Sequence, residues 1–269
     1  MKNHQDREPG STIEYVAQDG VARIALNRPS RLNAVTPQLV RELLEAIEQA
    51  HRDSARVIVL SGRGRSFCSG YDLKHEVVGS PPADERTERL GRIQALTTEL
   101  RGSPCCVIAQ VHGYALGAGA ELALAADFVV AAEDAVFGFP EVEAGLSVTG
   151  GISAILPRLI GPARARRLMI LGERVGGRQA YEMGLVSHVA AGSDVSAVVD
   201  SLADAVLSRP RVAVEGAKRL LEQGTWANLE TALDAEVRFA LRAQDSGEAR
   251  EAQKRFAAGC GLHVAGDAG

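Results

Sequence analysis

The sequence is poor in the features that mark several common functions. Its four cysteines, Cys68, Cys105, Cys106 and Cys260, form no CxxC pair, and no His/Cys cluster has metal-ligand spacing. That pattern argues against a metal centre or a disulfide framework and fits reduced thiols in a cytoplasmic setting. Charge of one sign is missing too: 30 basic residues are scattered among 34 acidic ones, the net charge is −4, and no cationic run interleaves with aromatics. A nucleic-acid partner is therefore not expected. The opening MKNHQDREPGST has no apolar segment, and the most apolar stretch, 122–139, is broken by Asp127, Glu133 and Asp134, so no targeting or membrane segment is expected. Fixed-period repeats and low-complexity tracts are absent as well.

What remains is 269 residues, 46% of them hydrophobic, enough for one large domain or a domain with a smaller appendage. Residues 1–10 read as disordered. Ile13–Val16 and Val21–Leu26 alternate around Asp19-Gly20 and predict a β-hairpin. Thr36-Pro37 opens an amphipathic helix to about His51, with Leu39, Leu43, Leu44 and Ile47 on one face. Val57–Leu60 then reads as a buried strand, followed by a helix around Thr87–Arg101, a strand at Cys105–Val111, a helix at Gly117–Ala126 and a strand at Phe128–Ala131. This alternation predicts an α/β fold with a parallel, helix-covered sheet. From about Asp194 only helices follow, with Pro210, Gly224 and Gly247 as punctuation. The expected division is a core at 11–193 and a helical subdomain at 194–269.

Two glycine-containing turns stand where strands end: Ser66-Phe67-Cys68-Ser69-Gly70-Tyr71-Asp72-Leu73, and His112-Gly113-Tyr114-Ala115-Leu116-Gly117-Ala118-Gly119-Ala120-Glu121. Each frees backbone N–H groups, and the helix start near Gly117 adds partial positive charge, a combination suited to a developing oxyanion. The second turn spaces its glycines GxxxGxG rather than GxGxxG and lacks a phosphate-binding lysine, which disfavours a nucleotide cradle. No GxSxG elbow is present, so a serine hydrolase has no obvious nucleophile, and no histidine within the Ser66–Leu73 turn supports Cys68 as one, for which a buried thiol is the commoner reading.

On these motifs the chain resembles the crotonase, or enoyl-CoA hydratase/isomerase, superfamily. The resemblance runs through Leu26-Asn27-Arg28-Pro29 with Leu32-Asn33-Ala34, then Phe67 to Lys74, then Val111 to Glu121, then Phe137-Gly138-Phe139-Pro140-Glu141, in order and at similar separations. It implies a ββα-spiral core with a C-terminal α-helical subdomain, and an acyl-CoA thioester as substrate. Coenzyme A would enter as part of that substrate, with no separate cofactor. It also implies an oxyanion hole from the N–H groups of Tyr71 and Ala118, an acid/base pair in Glu121 and Glu141, and a homotrimer or hexamer. Ala118 and Glu121 are three apart at the start of a helix and so share one face. Hydration of a 2-enoyl thioester needs water activated at C3 and a proton delivered at C2; Glu121 suits the first task and Glu141 the second.

The coenzyme is expected along the backbone of Ala34 and the Tyr71–Lys74 segment, which includes Asp72 and Leu73. Arg28, Arg31 and Lys74 are candidate phosphate contacts, with solvated surface charge as the competing reading. Asp72 and His112 are expected to serve also as hydrogen-bonding residues of the core. The loop after Glu141 departs from the pattern of similar hydratases: Thr149 stands in place of a glycine and is expected to line the acyl pocket and crowd or re-aim the water, and Ile155 replaces an arginine. Tyr71 replaces a small residue, and Gln253 stands where an aromatic often closes the site. Two other readings compete with hydration. Double-bond isomerisation would use Glu141 alone, and a protein that binds acyl-CoA or assembles without catalysis would use neither glutamate.

Overall fold

The computed structural model describes residues 10–72 and 82–257. Strands β1 (Ile13–Gln18) and β2 (Val21–Leu26) form the expected hairpin in the register Ile13 to Leu26. Asp19 (φ 50°) and Gly20 (φ 81°) turn it, the paired positive φ values that match the twist of two antiparallel strands. Helix α1 (Pro37–Arg52) starts at Thr36, whose hydroxyl accepts the N–H of Leu39, and it buries Leu39, Val40, Leu43, Ala46, Ile47 and Ala50. Leu44, expected on that face, is half-buried.

The chain continues through β3 (Val57–Gly62), α2 (Ala83–Gly102), β4 (Cys106–Val111), β5 (Tyr114–Leu116), α3 (Ala118–Leu124), β6 (Phe128–Ala132) and β7 (Val136–Gly138). A 3-10 turn at Pro140–Ala144 leads to α4 (Ile152–Ile160), α5 (Pro162–Ile170), β8 (Arg174–Gly176), α6 (Gly177–Glu182), β9 (His188–Ala190) and α7 (Val195–Leu207). The main sheet has the order β1-β2-β3-β4-β6-β9, and every neighbouring pair except β1–β2 is parallel. Its central strands are near-continuous buried apolar runs, as a sheet covered on both faces requires.

A second layer was not foreseen. Residues 112–121 read as a turn, yet Tyr114–Leu116 is a short strand in a small sheet of order β5-β7-β8. Isolated bridges from Val35 to Tyr71 and from Cys68 to Ala115 extend this layer toward the start of the chain. Successive passes therefore repeat one unit. A main-sheet strand is followed by a short extended segment in the second layer (Val35, Cys68–Tyr71, β5, β7), and a helix or helical turn follows where the residues are described. This is the ββα spiral, and the two motif turns lie side by side in its second layer.

The chain divides into two compact units, residues 1–203 and 204–269. The division falls inside α7, whose Val195, Val199 and Ala203 are buried. In the second unit α8 (Arg211–Trp226), α9 (Leu229–Asp245) and α10 (Gly247–Ala257) pack together. A Cβ at Gly216 would sit 3.3 Å from the ring of Phe239, so α8 and α9 approach closely there. Among the described residues no helix is long and apolar enough to cross a membrane.

Candidate active site

The first turn is fastened from below by Asn33, which is fully buried and left-handed (φ 55°), a conformation asparagine tolerates better than most residues. Its Nδ2 donates to the carbonyls of Arg63 (2.9 Å) and Ser66 (2.8 Å), and its Oδ1 accepts the N–H of Arg28 (2.8 Å). Ser69 N–H reaches Leu32 O at 3.0 Å. The Leu32-Asn33-Ala34 motif is thus a staple for the Ser66–Tyr71 turn, a role that the sequence left unassigned. His112 ties the same region to the second turn through Nε2 and Gly64 O, 2.9 Å apart.

The two turns then meet. Val35 N–H donates to Gly70 O (2.8 Å) and Asp72 N–H to Val35 O (3.0 Å), the pattern of a parallel bridge that flanks Tyr71. In such a bridge the flanked residue directs its own N–H away from the partner strand, here away from Val35. On the second turn Gly117 N–H donates to Gly138 O (2.9 Å), and Ala118, as the first residue of α3, has no intrahelical acceptor for its N–H. A Cβ placed on Gly70 would lie 2.9 Å from Leu116 O and 3.8 Å from Ala118 N. The peptide joining Gly70 to Tyr71 therefore rests against the Leu116–Ala118 turn, and the two amides expected to act together are neighbours.

Both glutamates come to this place. Glu141 sits at the start of the 3-10 turn, and a Cβ on Gly117 would be 2.8 Å from its Oε1. Its Oε2 is buried with no hydrogen-bond partner among the described residues. Glu121, on α3, is 3% exposed. Its carboxylate is held by the loop that follows Glu141: Thr149 N–H donates to Oε1 at 2.6 Å and the Thr149 hydroxyl to Oε2 at 2.5 Å. Burial raises the pKa of Glu121 above the usual carboxylate range, and the two Thr149 donors oppose that rise. Burial also raises Glu141; its own N–H counteracts this, and the negative charge of Glu121 adds to it. Two carboxyl groups thus sense one another in a partly water-excluded place, which suits proton transfer.

The remaining candidates are distributed less evenly. Arg28 turns inward: it donates to Ala34 O (2.5 Å) and pairs with Asp72 (3.2 Å), both side chains being largely buried. Its charge is met by Asp72, and it braces the Ala34 and Tyr71 segments that carry the second-layer bridge. Asp72 is likewise taken up in that pair, and the Ala34 carbonyl in the Arg28 bond. Arg31 is half-exposed at the end of the Pro29–Arg31 3-10 turn. Leu73 and Lys74 lie outside the described residues. Tyr71 lines a small pocket together with Thr36, Pro37, Val40 and Ile93. Thr149, the acyl-pocket candidate, is bonded to Glu121. Cys68 is buried, and burial pushes its thiol up to about 12, which disfavours a thiolate nucleophile. Glu143 is exposed and faces Arg174 at 3.4 Å.

The sequence profile of the enoyl-CoA hydratase/isomerase family matches residues 16–261. The chain is 34% identical over 259 residues to the enoyl-CoA isomerase/hydratase fer4 of Mycosarcoma maydis, covering 93% of each chain. It is 34% identical over 244 residues to the 1,2-epoxyphenylacetyl-CoA isomerase of Escherichia coli (strain K12), covering 90% of this chain and 93% of that one. Among solved structures, the enoyl-CoA hydratase of Bacillus anthracis superposes with a TM-score of 0.87 at 30% identity, over 95% of this chain and all of the other.

Proposed function

The chain belongs to the enoyl-CoA hydratase/isomerase family, and from that membership and the geometry of the two turns we propose that it hydrates a 2-enoyl-CoA to a 3-hydroxyacyl-CoA, or runs the reverse dehydration. The thioester carbonyl oxygen lies between the N–H groups of Tyr71 and Ala118, which take up the negative charge as the enolate forms. Glu121 orients and activates the water that adds at C3. Glu121 takes the proton released by that water, Glu141 delivers a proton to C2, and passage of the proton from Glu121 to Glu141 restores the pair, so one water is consumed overall. Coenzyme A arrives as part of the substrate, and a cytoplasmic setting belongs to the same reading.

The observation that carries this reading is the position of Glu141. Its Oε1 stands against Gly117, next to the Ala118 amide, and its Oε2 is buried without a partner. A carboxyl group whose pKa is raised by burial and by a neighbouring carboxylate holds a proton into a higher pH range, where it can donate it. Isomerisation is the second reading. One feature favours it: both oxygens of Glu121 already accept hydrogen bonds, whereas Glu141 keeps one open and could alone move a proton between C2 and C4.

Incubation with a panel of 2-enoyl- and 3-enoyl-CoA thioesters tests both, with conjugated absorbance and product mass as readouts. Glu141→Gln should lower every turnover by about 10²- to 10⁴-fold. Glu121→Gln should lower hydration by a similar factor and leave isomerisation within a few-fold. Undiminished turnover in Glu141→Gln would reject the assignment.

A further inference from the structure

Every hydrogen bond to the Glu121 carboxylate among the described residues comes from one residue, Thr149. The geometry points to Thr149 as a positioning residue for hydration: its main-chain and hydroxyl donors fix the Glu121 carboxylate so that the remaining lone pairs meet water from one direction. The inference rests on the hydration reading of Glu121.

A carboxyl group turns easily about its last torsion, which is broad and two-fold, and an ionised one is costly to bury alone. Thr149 answers both difficulties. The N–H donor alone would leave Oε2 unbonded and the carboxylate free to swing; with the hydroxyl added, both oxygens are anchored to one residue. An ionised carboxylate offers about four lone-pair directions, so two bonds leave room for a water. A glycine at position 149 would supply only the main-chain donor, and threonine adds the second.

The loop behind Thr149 is itself held in place. Gly150 is left-handed (φ +55°), and a Cβ there would meet the Glu121 Cβ at 2.9 Å and Oε2 at 3.1 Å. The Gly150 carbonyl accepts the hydroxyl of Thr97 from α2 at 3.2 Å. Helix α2 thus fixes the loop, and the loop fixes Glu121. Isomerisation by Glu141 alone needs no water and therefore does not depend on this arrangement.

Thr149→Val keeps the branched shape and the main-chain donor and removes only the hydroxyl. Hydration of a 2-enoyl-CoA should fall about tenfold or more, mainly in kcat, the scale of a hydrogen bond to a charged group. Isomerisation of a 3-enoyl-CoA should stay within about threefold. The acid limb of the hydration profile should move to higher pH, because one donor instead of two then opposes the burial of Glu121. The charged group that senses this site is Glu141, so the limb is followed in both reactions, and only the hydration limb should move. Thr149→Ser should restore most of the lost hydration. If the valine variant does not fold, Thr149→Ala serves in its place. Hydration and acid limb unchanged in a folded valine or alanine variant would overturn the inference alone, as would equal loss of both reactions without recovery in serine. If the unaltered protein adds water to no 2-enoyl thioester, the hydration reading fails and this inference falls with it.

Discussion

At the scale of single residues, a methyl group at position 117 would do more harm than its size suggests. Gly117 has φ 50° and ψ −124°, a conformation close to glycine-only, and a Cβ there would press on Glu141 Oε1 at 2.8 Å. Gly117→Ala should therefore strain the turn that presents the Ala118 amide and displace the carboxyl group at once. We expect kcat to fall about 10²-fold or more, the scale of losing an oxyanion donor, with a stability loss of about 1–3 kcal/mol. Steady-state kinetics beside a thermal melt would check both, and a folded variant with unchanged kcat would argue that the turn does not act on substrate. The residues brought together here were legible in the sequence because each lies in a short motif whose spacing survives without knowledge of the fold. The Thr149 clamp was not legible. It joins α3 to a loop 28 residues further on, and nothing local to either segment records that contact. The pairing of Arg28 with Asp72 was hidden for a related reason, since the two residues lie far apart in sequence.

At the scale of elements, the long helices and the main-sheet strands from β1 to β6 could be foreseen because their apolar pattern runs over enough residues to be recognised, whereas β9, of three residues, was not. The three strands of the second layer span three residues each, too few for alternation to register, and the segments that prolong the layer are single bridges. The layer exists because backbone groups of successive passes pair with one another, which side-chain pattern does not encode. Glu42 on α1 shows how such elements are tied. It accepts from Thr12 N (2.7 Å), Thr12 Oγ1 (2.8 Å), Ser11 Oγ (3.0 Å) and Gln38 Nε2 (2.8 Å), and so pins the chain just before β1 to α1. Burial pushes its pKa up, but the donors outweigh it and the net shift is downward. A carboxyl group with a folded-state pKa below its unfolded value stabilises the fold above the unfolded pKa and loses that contribution as pH falls through the folded one. Glu42→Gln should therefore be less stable than the unaltered protein at neutral pH, and the gap should narrow on acidification below about pH 4. Urea unfolding across that range measures it; a gap independent of pH would show that the carboxylate charge contributes nothing.

At the scale of the whole molecule, the second unit carries a surface that water alone does not account for. Leu229, Leu233, Val237 and Leu241 recur every four residues along α9, and they are 75%, 52%, 60% and 57% exposed. Residues at that spacing lie on one side of a helix and form an apolar stripe. The same unit also holds a recess of about 510 Å³ lined in part by Leu220, Trp226, Ala232 and Ala235, none of them a stripe residue. Contiguous exposed apolar surface of this kind marks an interaction face. Apolar residues at helical spacing are more often ordinary core. Phe239 does pack against Gly216, whereas the α9 stripe does not enter the core of its own unit. Together with the trimers and hexamers implied by the family resemblance, this surface leads us to expect self-association. Light scattering of the purified chain at micromolar concentration should give the mass of a trimer or of a hexamer. Replacing Leu233 and Val237 together with glutamate places two charges in the stripe and should shift the mass toward the monomer, while circular dichroism keeps its helical signal. A monomeric unaltered chain at that concentration, or an assembly indifferent to both charges, would leave the stripe without this role.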